Sequence, residues 1–101
     1  MKSYTKVYLD SLGRDETSFC ECEICEGKAT EIHHIIARSK YKDGLNKIEN
    51  LMGICRSCHN MYGDQKSYMV LLLKIHRAFI SNIGLVIDEQ FFNEMINRYA
   101  D

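Results

Sequence analysis

The sequence predicts an α+β fold, a compact ββα unit followed by a pair of helices, and three observations carry that expectation. Cys22 and Cys25 in "CEIC" and Cys55 and Cys58 in "CRSC" form two C-x2-C pairs about thirty residues apart, the spacing of a four-thiolate metal knuckle. Between and after these pairs run a β-prone segment, a polar loop, a short apolar segment and a helical stretch, in that order. Beyond Gly63 the apolar residues change to a helical period. A chain of 101 residues with 46% hydrophobic and 27% charged content has the profile of one globular domain. We expect a single domain over 1–101, with an N-terminal segment 1–19, a metal-clipped core 20–66 and a helical pair 67–101. Domains of this size bury a limited share of their surface and often lean on a bound metal.

The elements follow in chain order. In residues 1–19, "YTKVYLDSL" precedes a turn at "GRDE", and periodicity does not decide between a strand and a helical turn. After the first knuckle, residues 29–36 read as a strand, because Thr30, Ile32, Ile35 and Ile36 carry β propensity and Gly27-Lys28 supplies the turn. The stretch "ARSKYKDGLNKIEN" is polar and basic with an Asp43-Gly44 turn signal, which predicts a long loop. Residues 51–54 form a second short strand, and the second knuckle opens a helix near 57–62. Tyr68, Leu71, Leu72, Ile75, Phe79 and Ile83 lie at helical spacing, with Asp64 as candidate N-cap and Gly84 as stop. A last helix follows Asp88, with Phe91, Phe92, Met95, Ile96 and Tyr99 on one face. Both helices read as core, packed on the ββα unit, and His76 in the first of them as a packing or surface residue.

Composition narrows the setting. The formal charge of -1 excludes a strongly basic protein, so nucleic-acid binding has to be argued locally. No apolar run is long enough to span a bilayer, and "MKSYTKVYLD" lacks a signal-peptide core, so the expected compartment is the cytoplasm. In a reducing compartment the cysteines favour metal over disulfides, and Cys22, Cys25, Cys55 and Cys58 are expected to hold a structural Zn2+. Cys20, in a less usual C-x-C arrangement, is a spare thiol.

The segment "EIHHII" at 31–36 sets two adjacent imidazoles among apolar residues, a setting they tolerate poorly unless something occupies their nitrogens. The ordered set "CEIC", "EIHHII" and "IENLMGICRSCHN" resembles the HNH endonuclease family in the zinc-knuckle form found in many phage and bacterial proteins. The likeness covers about residues 20–62, and "YTKVYLDSLG" is similar to the leader of small stand-alone phage-type members. It implies a ββα-metal, His-Me finger core and a phosphodiester hydrolase acting on DNA.

The resemblance also implies roles. His33 matches a ligand of the catalytic divalent cation and His34 the general base; consecutive strand residues face opposite ways, so the two rings are expected to take different partners. Asn50 matches the motif's middle residue, fixing the loop and, through it, the base. His59 matches the second ligand. Some relatives carry a further His or Asn four residues after His59, where this chain has Gly63; Asp64 can reach the metal or cap the next helix. Mg2+ or Mn2+ is the expected catalytic ion, with Ni2+, Co2+ or Zn2+ also suited to a histidine pair. Over 37–66 six basic residues face three acidic ones, and Arg38 and then Arg56 are the candidate phosphate contacts. The alternative reading is a catalytically silent zinc module of the same fold that binds DNA or a protein. DNA is the expected partner, with a homodimer through the C-terminal helices, or a larger protein partner, left open.

Overall fold

The computed structural model describes residues 1–100. The fold is α+β: a two-stranded antiparallel sheet, four α-helices and a cluster of four cysteines. The order is α1 (Ser3–Ser11), β1 (Glu31–His34), β2 (Leu51–Ile54), α2 (Arg56–Tyr62), α3 (Met69–Asn82) and α4 (Glu89–Tyr99), with short 3-10 turns at Arg38–Lys40, Ile48–Asn50 and Lys66–Tyr68.

Register divides the sheet into two faces. Glu31 pairs with Ile54, Ile32 with Gly53, His33 with Met52 and His34 with Leu51. Alternation along β2 sends Leu51 toward α1, where it packs with Tyr8 and Leu9, and sends Met52 and Ile54 into the larger core with Leu72, Leu73, Ile80 and Phe92. All four β2 residues are buried, which explains why a run with no polar alternation is a strand.

The N-terminal segment, undecided by periodicity, is helical: Tyr8 and Leu9 are adjacent and both buried, the pattern of a helix resting one edge on the sheet. Two expected boundaries and one expected helix face differ. The first strand spans Glu31–His34 rather than 29–36, because Ile35 and Ile36 leave the ladder while remaining buried under the loop. The long helix begins at Met69, after a 3-10 turn, and Asp64 does not cap it. Its buried face is Leu72, Leu73, His76 and Ile80, with Leu71 and Ile83 exposed, so the apolar stripe is rotated by one residue from the sequence reading. Asp88 does cap α4, accepting from the Phe91 amide at 3.1 Å, and Phe91, Phe92 and Met95 are that helix's buried face. Gly84, at φ +89°, ends α3 in the left-handed conformation.

The centre of the fold is a polar cluster. His76 is fully buried; its Nδ1 lies 2.6 Å from Glu23 Oε1, and its Nε2 donates to the Ile48 carbonyl at 2.6 Å. Glu23 Oε2 accepts from the Tyr8 hydroxyl at 2.6 Å and from the Gly53 amide at 2.9 Å. One carboxylate inside the first cysteine knuckle thereby joins α1, β2 and α3. Gly53 is required for this junction, since a Cβ there would lie 2.6 Å from the Tyr8 hydroxyl oxygen. Removing one member leaves buried polar groups without partners, so His76→Phe is expected to cost about 3–5 kcal/mol. Urea unfolding of the zinc-loaded chain measures this, and a loss under about 1 kcal/mol would show the cluster to be dispensable.

Candidate active site

Two clusters of metal-capable side chains are present among the described residues, and α2 contributes to both through the adjacent Cys58 and His59. In the first, Cys22, Cys25, Cys55 and Cys58 bring their sulfurs within 4.8 Å of one another. Cys25 and Cys55 Sγ are 3.7 Å apart. A tetrahedral Zn2+ with bonds near 2.3 Å sets its sulfurs about 3.8 Å apart, so the cluster fits that ion. Burial opposes ionisation of Cys22, yet the backbone amides of Cys25, Cys55 and Ile24 directed at its sulfur hold it at about 7. Burial also pushes the Cys58 thiol up. Cys55 caps α2, its sulfur accepting from the Cys58 amide at 3.4 Å, so the knuckle sets where α2 begins. Cys20 lies outside the cluster, against α1.

The second cluster depends on strand alternation. His33 and His34 are both buried, and their rings leave β1 on opposite faces. His33 faces α2, its ring centroid 4.9 Å from that of His59. His33, His59 and Asp64 can each offer a ligand atom within 4.8 Å of the other two. His33 Nε2 is buried with no hydrogen-bond partner among the described residues. Burial holds this imidazole down to about 4, so at neutral pH it presents a lone pair rather than a charge. An unpartnered buried lone pair beside a second imidazole and a carboxylate fits a divalent cation, which would satisfy it.

Glu31, two residues before His33 and on its face of the strand, accepts from His59 Nδ1 at 3.0 Å. This fixes the proton on Nδ1 and leaves Nε2 for the cluster, the arrangement in which a carboxylate orients a metal-binding histidine. The other Glu31 oxygen pairs with Arg56 at 2.9 Å. Arg56 therefore arrives at the site already engaged, though its side chain remains largely exposed.

His34 faces α1. Its Nε2 is 2.7 Å from Asn46 Oδ1, and its ring meets the Tyr4 ring edge-on with centroids 4.7 Å apart. Because an amide oxygen only accepts, Nε2 carries the proton and Nδ1 is left basic. The Arg38 guanidinium lies 5.3 Å from the centre of the same Tyr4 ring, which draws this arginine to the His34 side. Asn50 is fully buried and holds the loop shut: it donates to the Ile36 and Leu45 carbonyls at 3.1 and 3.3 Å and accepts from the Ile36 amide at 2.8 Å. It does not touch His34. The direct partner is Asn46, which the sequence reading did not single out; Glu31 and Tyr4 were missed as well. Glu31 had a signal, its i−2 position on the strand face of His33, whereas Asn46 sits in a loop whose closure no periodicity describes.

An open groove of about 780 Å³ runs between α1 and the outer edge of β1, with Lys2, Tyr4, Lys28, Glu31, Arg56 and His59 among its walls. It reaches the second cluster from outside.

Residues 20–65 match the family described as HNH endonuclease. Over 87 aligned residues the chain is 37% identical to the mitochondrial DNA mismatch repair protein mutS homolog of Sarcophyton glaucum. That alignment takes in 82% of this chain and spans only 6% of the relative's length. No solved structure matches the chain.

Proposed function

The chain belongs to the HNH endonuclease family through residues 20–65, and from that premise we propose that it is a metal-dependent endonuclease hydrolysing DNA phosphodiester bonds. The observation that supports this reading most is the division of the two histidines. His33 offers an unpartnered nitrogen beside His59 on one face of β1, and on the other His34 is held by Asn46 with Nδ1 free. A module that only binds has no physical use for a positioned imidazole so near a set of metal-capable side chains.

In this reading His34 Nδ1 takes a proton from a water molecule as that water attacks the scissile phosphorus, and the bond to the sugar oxygen breaks as that oxygen takes a proton from solvent. Asn46 keeps the ring from rotating and keeps the proton on Nε2, while Tyr4 packs against its edge. A divalent cation, Mg2+ or Mn2+, when bound by His33 and His59, supplies Lewis-acid stabilisation of the charge developing on the phosphate. Glu31 orients His59, and Asn50 maintains the loop that carries Asn46. Arg38 contacts a phosphate beside His34; Arg56 makes a second contact if it exchanges Glu31 for the phosphate. The four cysteines hold Zn2+ and fix α2, hence His59, against β1.

DNA as substrate agrees with the relative's name, which places it in DNA mismatch repair. Among the described residues no helix is long and apolar enough to cross a membrane; the cytoplasmic setting we propose rests on the four-cysteine cluster, which suits metal binding in a reducing compartment. Cutting both strands would call for two copies; Leu71, Ile83 and Val86 are the exposed apolar residues on and beyond α3 that a homodimer would cover.

The zinc-loaded chain is expected to convert supercoiled plasmid to the open circular form with added Mn2+ or Mg2+, and to stop when the divalent cation is chelated selectively. Asn46→Ala is expected to slow nicking about 10–100-fold, the usual cost of losing a group that orients a site histidine, with zinc content unchanged. A variant as fast as the parent would remove Asn46 from the mechanism.

A further inference from the structure

We propose that Asp64 is the third protein ligand of the divalent cation bound by His33 and His59, so that the chain offers one face of two imidazoles and a carboxylate. This rests on the metal-dependent reading above and adds to it the residue that completes the ligand set. The argument begins at position 63. A Cβ on Gly63 would run into His59 Cδ2 and lie 2.7 Å from the His59 carbonyl oxygen and 3.0 Å from Nε2. The missing side chain therefore gives the His59 ring its place: the ring lies across the end of α2 in space that any other residue at 63 would fill.

The next residue turns back. Asp64 has φ +57°, a left-handed conformation that Asp tolerates better than most residues with a side chain. Its carboxylate returns to the ring, Oδ2 standing 3.4 Å from His59 Nε2. Asp64 has no part in starting α3, whose first residue is Met69, so helix capping does not account for this conformation.

The contact itself calls for a cation. His59 Nδ1 donates its proton to Glu31, a carboxylate that only accepts, which leaves Nε2 as the ring nitrogen turned toward Asp64. A separation of 3.4 Å is longer than the 2.7–3.2 Å of an N–H···O hydrogen bond, so the two atoms face one another without a direct hydrogen bond. Two neighbouring ligands of an octahedral ion with bonds near 2.1 Å stand about 3 Å apart, close to what is seen. His33 Nε2, buried and unpartnered, is the third donor of the set. A carboxylate in the ligand set would favour hard ions such as Mn2+ over the softer ions that a bare histidine pair accepts.

The test is a titration of Mn2+ into the zinc-loaded chain, with free Mn2+ read from its electron paramagnetic resonance signal. The wild type is expected to bind one Mn2+, and Asp64→Asn to bind it at least tenfold more weakly with unchanged zinc content and thermal unfolding. Gly63→Ala, which displaces the His59 ring, is expected to weaken it as well. Asp64→Asn binding within twofold of wild type, while His59→Ala loses the ion, would overturn the third ligand and leave the two-histidine site standing. A wild type that binds no Mn2+ beyond its zinc would overturn both.

Discussion

Cys55→Ser combined with Cys58→Ser is expected to produce a chain with no cooperative unfolding transition. These two residues supply half of the thiolate cluster, one caps α2, and both connect β2 to the helix that carries His59. Structural Zn2+ contributes apparent binding free energies of about 10–16 kcal/mol in small zinc modules, more than a domain of this size retains as net stability. Residues 20–30 contain little regular structure, only the isolated bridge between Glu21 and Lys28, and depend on the knuckle for their shape. Glu23, whose carboxylate joins Tyr8, Gly53 and His76, lies inside that knuckle. Loss of zinc therefore reaches the central polar cluster as well as the second knuckle. Elemental analysis of the wild type is expected to find one zinc per chain, and chelation at high temperature to unfold it. A zinc-free chain with a sharp thermal transition would contradict the structural role.

His34→Ala is expected to lower the nicking rate by about 10²–10⁴ while leaving Mn2+ affinity and zinc content as they are, the usual span for loss of a general base. His33→Ala is expected to do the opposite first: it weakens Mn2+ binding, and turnover falls because the site is not loaded. Two rings joined by one peptide bond would then have separable effects, because β1 sends them to opposite faces, one to His59 and the other to Asn46 and Tyr4. Raising Mn2+ concentration is expected to restore part of the His33→Ala rate and none of the His34→Ala rate. Matching losses of metal affinity in both variants would contradict the division.

Much of this architecture was legible in the residues, and the parts that were not have physical reasons. Paired C-x2-C spacing predicts a cluster of four thiols because few other arrangements use it, and the adjacent histidines predict diverging rings because strand alternation has no alternative. The face of α3 was less legible. Leu71, Leu72 and Leu73 fit either of two neighbouring stripes, and His76, which reads as polar, is the buried centre of the true one. Its burial depends on Glu23, 53 residues earlier, so no local window contains the reason. Asp64 read equally well as a cap or a ligand, and the start of α3 at Met69 removes the first use. Asn50 was identified from its motif, and its hydrogen bonds close the loop; the direct contact to His34 comes from Asn46, four residues earlier in a segment without periodicity.

The central claim, that this chain is a nuclease whose base is His34, is tested most directly by a plasmid-nicking time course of the zinc-loaded wild type beside His34→Ala at saturating Mn2+. Open circular DNA is expected to accumulate with the wild type and at least about a hundredfold more slowly with the variant. Equal rates in the two proteins, or no product from either, would contradict the account.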